Sequence, residues 1–139
     1  MSRMTPQEIA QRYTAVWLEP DPEARRRAIA EVWAEDAVVL LQPPLEMKAT
    51  AEELGVAPSL RVRGHAELET RVTRAYEQFI APGETVFRSR PDAQRLDDVI
   101  KFAWEMVPTG GDEVVASGMH VVVVDRDGRI THDYQFVDP

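Results

Sequence analysis

From Thr85 to the end of the chain, apolar and polar residues alternate between turn signals, whereas helical spacing is confined to the first 80 residues. Strands that follow one another through short turns pair mainly antiparallel, and helices segregated from them must gather on one face of the sheet. The pattern therefore predicts an α+β fold. At 139 residues, 44% hydrophobic and 29% charged, the chain has the length and composition of one globular unit, so residues 1–139 are read as a single domain.

Thr5, Pro6 and Glu8 form a helix start, in which the hydroxyl caps, the proline sets φ and the glutamate reaches back. Ile9, Tyr13, Val16 and Trp17 then share a face up to Glu19-Pro20. Asp21-Pro22 opens a second helix with Ala28, Ile29, Val32 and Trp33 as its stripe, and Arg25-Arg26-Arg27 is read as a solvated face. Val38 to Leu41 reads as a buried strand closed by Pro43-Pro44. Thr50 and Glu53 suggest a capping box for one short helix that stops at Gly55. Leu68, Val72, Ala75, Tyr76 and Phe79 define a third long helix, ended by Ala81-Pro82-Gly83.

Four strands follow, at Thr85 to Arg90, about Leu96 to Val107, about Glu113 to Asp125, and Arg129 to Val137. Phe102, Trp104 and Met106 share one face of the second. Arg88 and Arg90 share a face of the first and are expected in solvent. Asp127-Gly128 is a hairpin signal. As a two-residue turn it sets His120 opposite Gln135 and Val122 opposite Asp133; a four-residue loop would set His120 opposite Asp133, on the same faces. Either way His120, Asp133 and Gln135 cluster. The other face carries Met119, Val121, Val123, Ile130, Tyr134 and Phe136, so a homodimer through the sheets is expected.

A balance of 16 basic against 24 acidic residues gives a formal charge of -8, which repels phosphate backbones and anionic lipid. Nucleic acid is not an expected partner. The chain has no cysteine, hence no disulfide, no thiolate nucleophile and no cysteine-based zinc site. Its first residues lack the apolar core of a secretory signal, and no apolar run reaches the ~18 residues of a membrane span, so a cytoplasmic location away from membranes is expected.

The element order, with Gln11-Arg12-Tyr13, Trp33-Ala34-Glu35-Asp36-Ala37, Gly64, Trp104 and Asp127-Gly128-Arg129-Ile130, resembles the SnoaL-like and ketosteroid isomerase-like branch of the nuclear transport factor two-like superfamily. The resemblance implies a cone-shaped, curved antiparallel sheet, the cystatin-like roll, with three main helices packed on its concave side. The segment at about 45–60 departs from it as an insertion, expected to be a lid or pocket rim. In ketosteroid isomerases a first-strand carboxylate moves the proton while a tyrosine and a protonated aspartic acid stabilise the enolate. Tyr13 falls at the tyrosine position, His120 at the second donor, and Leu41 at the base, where nothing accepts a proton.

These residues imply a small-molecule pocket with isomerase-, cyclase- or dehydratase-type acid–base chemistry on a hydrophobic carbonyl compound, without a cofactor. His120 is the candidate acid or base, Tyr13 the hydrogen-bond donor to the ligand, and Asp133 the group that orients the imidazole. Trp17, Trp33, Phe79, Phe102, Trp104, Met106 and Gln135 are the candidate ligand-binding residues. His65 and His132 have no second ligand at metal-site spacing and are read as structural. Two alternatives stand beside catalysis: a pocket that binds a small apolar ligand without turnover, and an interaction module whose cone is filled by its own side chains.

Overall fold

A computed structural model describes residues 3–139. Helix α1 (Pro6–Leu18) opens with the Thr5 hydroxyl accepting from the Glu8 amide at 3.1 Å, and α2 (Pro22–Val32) with the Asp21 carboxylate accepting from the Ala24 amide at 3.1 Å. The arginine run in α2 departs from expectation. Arg25 is 3% exposed: its guanidinium donates to the Glu19 and Pro20 carbonyls, just past the end of α1, and to the Thr73 hydroxyl, and it stacks 4.6 Å over the Tyr76 ring. Carbonyls at a helix end lack intrahelical partners and favour a cation. Arg26 and Arg27 remain at the surface, Arg26 paired with Glu69.

Strand β1 (Trp33–Leu41) starts at the end of α2, five residues before the predicted Val38, with an irregularity between Trp33 and Val38. The segment read as an insertion contains α3 (Leu45–Glu53) and leads into β2 (Leu60–Arg63). Thr50 does not cap α3. It lies inside the helix with its hydroxyl turned back to the Glu46 carbonyl, while Gly55, at φ 75°, ends the segment as expected. Helix α4 (Gly64–Ala75) buries Leu68, Val72 and Ala75 and runs on as a π-helical turn, Tyr76–Ile80. Then come β3 (Thr85–Ser89), β4 (Gln94–Leu96), β5 (Val99–Pro108), β6 (Ala116–Val124) and β7 (Ile130–Val137). The strand predicted from about Leu96 to Val107 is β5, starting a few residues later because Asp97, at φ 54°, turns the short β4 back along it.

The strand order is β2-β1-β7-β6-β5-β3, with β4 also on β5. Only β1 and β7 run parallel, as they can because no hairpin joins them. Helices α1, α2 and α4 enclose the core against one face of this curved α+β sheet, whereas α3 buries only Ala51. Among the described residues no helix is long and apolar enough to cross a membrane.

The last hairpin fixes the site. Asp125 pairs with Arg129 across a three-residue loop, closed by Gly128 at φ 80° and by the Asp125 carboxylate, which accepts from the Asp127 and Arg129 amides. Alone, that loop would slip the register by one and turn His120 away from Asp133. A bulge between the Val124–Ile130 and Val123–His132 pairs reverses the slip. His120 therefore lies opposite Gln135, and Val122 opposite Asp133, as the two-residue reading predicted. Ile130 lies on the turn side of the bulge, and its side chain, predicted on the outer face, is fully buried in the core.

Candidate functional site

Pairing across the sheet arranges the concave face in rows. Val39, Asp133, Val122 and Ile100 form one, all buried; Leu41, Gln135, His120 and Phe102 form the next, two residues on along each strand. Leu41 packs against the core, so the position that would carry an isomerase base is apolar. Beyond His120, Gly118 stands opposite Trp104. A Cβ there would come within 2.5 Å of the indole nitrogen, so the glycine is what lets Trp104 lie down beside His120, its Nε1 donating to the Phe136 carbonyl at 3.2 Å.

From the helical side α1 inserts Tyr13, 1% exposed. Its hydroxyl donates to Asp133 Oδ2 at 2.7 Å, accepts from Gln135 Nε2 at 2.7 Å and lies 3.3 Å from His120 Nδ1. Trp33 Nε1 also donates to Asp133 Oδ2, at 3.2 Å. Asp133 Oδ1 is 3.9 Å from His120 Nδ1, too far for a hydrogen bond, and has no partner. The structure thus brings His120, Tyr13, Asp133 and Gln135 together. It does not give Tyr13 to a ligand, because the phenol is sealed behind the histidine and fully engaged there.

Two proton arrangements satisfy these distances. With Asp133 ionised, Tyr13 donates to Oδ2, His120 Nδ1 donates to the phenol oxygen, and Nε2 is a free acceptor. With Asp133 protonated on Oδ2, the carboxyl donates to the phenol, the phenol to Nδ1, and Nε2 carries hydrogen. Gln135 fills the other lone pair of the phenol oxygen in both. Burial pushes the Asp133 carboxyl up to about 7, against its polar contacts with Tyr13, Trp33 and Gln135 and the charge of Arg71. Burial, aided by the Arg71 charge, pushes the His120 imidazole down to about 3, where the Asp133 carboxyl is protonated and supplies no opposing charge. Burial and then the Asp133 charge hold the Tyr13 phenol well above its ordinary value.

His120 is the most exposed member of this cluster: its side chain is 12% exposed against 0% for Asp133, and among the described residues no hydrogen bond engages Nε2. Phe102 and Trp104 pack 5.2 and 6.1 Å from its ring, Phe87 packs on Trp104, and Phe79 on Phe87. Phe79, Trp104 and Met106, three of the predicted ligand-binding residues, are half-buried. Trp17, Trp33, Phe102 and Gln135 are instead buried. His65 Nε2 donates to the Trp33 carbonyl at 2.8 Å, and His132 lies at the surface beside the Thr131 hydroxyl. Among the described residues no three His, Asp or Glu side chains gather as a metal site. A cleft of about 400 Å³ is lined by the Pro91–Gln94 segment, Lys101, Met119 and Phe102, the last of which also packs on His120.

The sequence reading missed Arg71. It sits on α4 among Leu68, Val72 and Ala75, and a cation in that apolar stripe was the available signal. Its guanidinium lies 5.4 Å over the Trp17 ring, and its charge reaches Tyr13, Asp133 and His120.

No protein-family model matches the sequence, and no curated protein is similar to it. Solved structures are. A SnoaL-like family protein of Agrobacterium tumefaciens strain C58, named as an inferred isomerase, superposes with TM-score 0.75 at 28% identity, covering 98% of this chain and 100% of that one. A nuclear transport factor 2-like protein of unknown function from Exiguobacterium sp. 255-15 superposes with TM-score 0.61 at 12% identity, covering 96% and 98%. The chain has the fold of the SnoaL-like and nuclear transport factor 2-like proteins. A protein of Bacillus subtilis, named as an inferred isomerase, is 20% identical with TM-score 0.60 over 98% of this chain and 91% of that one, a likeness of fold.

Proposed function

We propose that the protein is an isomerase-type acid–base catalyst for a small hydrophobic carbonyl compound, with His120 as the group that takes and returns the proton. One observation carries this reading: His120 is the most exposed member of the buried polar cluster, and it is joined through Tyr13 to an aspartic acid poised near neutrality. The name of the 28% identical neighbour supports it.

In the forward step Nε2 accepts a proton from the carbon beside the carbonyl, and the C–H electron pair passes into the enolate. The imidazolium is stabilised by ionised Asp133, to which Nδ1 is joined through the phenol. Returning the proton to a different carbon completes an isomerisation and restores the neutral ring. Tyr13 is a positioning residue here, and the half-buried Phe79, Phe87, Trp104 and Met106 supply the apolar contact.

The test is deuterium uptake from D2O into hydrophobic ketones such as 2-tetralone, followed by proton NMR. The wild type should accelerate exchange and His120→Ala should lower the rate ~100-fold or more. No acceleration, or acceleration that His120→Ala leaves intact, would overturn the reading. The close ring packing around His120 favours a second reading, binding without turnover. Native mass spectrometry showing a retained small molecule, without exchange on any ketone, would select it.

A further inference from the structure

The geometry points to Arg71 as an anion-recognition residue of the His120 site, which makes the ligand a hydrophobic carboxylate. This inference rests on the proposed site and adds the charge of its ligand. Arginines withdrawn from solvent in this chain otherwise spend their protons on the protein: Arg25 on the Glu19 carbonyl, Arg88 on Glu105, and Arg95 on the Asp97 carbonyl. Arg71 is half-buried, and no hydrogen bond or ion pair among the described residues engages its guanidinium.

Its Nε is fully buried without a partner, and so is the indole Nε1 of Trp17, over whose ring the guanidinium lies at 5.4 Å. Asp133 Oδ1 is the third buried polar atom without a partner. Folded proteins leave few such atoms, and here all three fall in one neighbourhood: Trp17 packs on Tyr13 at 6.1 Å, Tyr13 bonds Asp133, and Arg71 acts on both by charge. Two unspent N–H donors, one of them cationic, with an aromatic plane to hold the guanidinium flat, are the groups that a carboxylate satisfies through charge-assisted bonds.

The protein's charge of -8 opposes an approaching anion, but that field is screened beyond about 8–10 Å in physiological salt. Selection must therefore come from local contact with Arg71. The Asp133 carboxyl acts on the guanidinium only at a distance, since it forms no hydrogen bond with it, and leaves its N–H groups open.

The experiment pairs each of several hydrophobic acids, beginning with naphthalene-1-acetate, with its neutral methyl ester, and follows binding by tryptophan fluorescence and calorimetry. The wild type should bind the acid at least 10-fold more tightly than the ester. Arg71→Met should abolish that preference while keeping ester affinity, and Arg71→Lys should restore part of it; retained ester binding shows that the variant is folded. Equal affinity for acid and ester in the wild type, or a preference that survives Arg71→Met, would overturn the anion site and leave the His120 site standing. Binding of neither probe from any pair would overturn both. Acid preference without ketone exchange would uphold Arg71 and refute the catalytic reading.

Discussion

Asp133 and His120, buried side by side, place opposite demands on pH. The folded carboxyl at about 7 exceeds its ordinary 3.8, so its contribution to stability is complete below about 3.8 and is lost as pH rises through about 7. The folded imidazole, at about 3 against an ordinary 6.5, contributes fully above about 6.5 and loses that contribution as pH falls through about 3. Between about 4 and 6.5 the two slopes cancel. Asp133→Asn removes the first alone, so its stability relative to wild type should improve from pH 4 to pH 7, by at most about 4 kcal/mol, in parallel urea titrations. A pH-independent difference would refute the buried titration. The pairing of His120 with Asp133 and Gln135 was legible in strand alternation. The trap around Tyr13 was not, because it depends on how α1 sits over the sheet, which no local pattern encodes.

At the scale of elements, helix starts and the apolar stripes of α1, α2 and α4 were legible because each is local chemistry: a cap, a proline, a 3.6-residue period. The errors lay where a distant partner decides. Arg25 is buried because the end of α1 and Thr73 meet it, and β1 starts early because β7 pairs with Trp33. Arg25→Ala should therefore cost about 2–3 kcal/mol, seen as a lower urea midpoint at unchanged slope, whereas Arg27→Ala should change little. On β6, Gly118→Ala would drive a Cβ against the Phe136 carbonyl and the Trp104 indole. It should destabilise the fold by more than about 2 kcal/mol and alter the near-ultraviolet circular dichroism of Trp104. A stable Gly118→Ala with an unchanged spectrum would contradict the packing beside His120.

Taken whole, the molecule carries most of its exposed large apolar side chains at one end, with Leu96 at the other. Leu45, Leu54 and Val56 around α3, Val114 and Val115 before β6, and Phe136 at the end of β7 lie where β1, β5 and β7 finish and where β2 and β6 begin. The joint change of Leu45, Leu54 and Val56 to serine should weaken hydrophobic dye binding while leaving the melting temperature nearly unchanged. On the convex face Met119, Val121 and Tyr134 are half-buried beside Lys101 and the Arg88–Glu105 pair. A homodimer through that face stays a proposal, and a monomeric mass at micromolar concentration would count against it. All of these features serve one claim, that a neutral His120 changes its proton pattern through Tyr13 as Asp133 titrates. Nitrogen-15 NMR of the imidazole tests it without any substrate. The ring should stay neutral from pH 5 to 9 while hydrogen moves from Nε2 to Nδ1 through about pH 7; an imidazolium at pH 6, or one unchanging tautomer, would contradict the account.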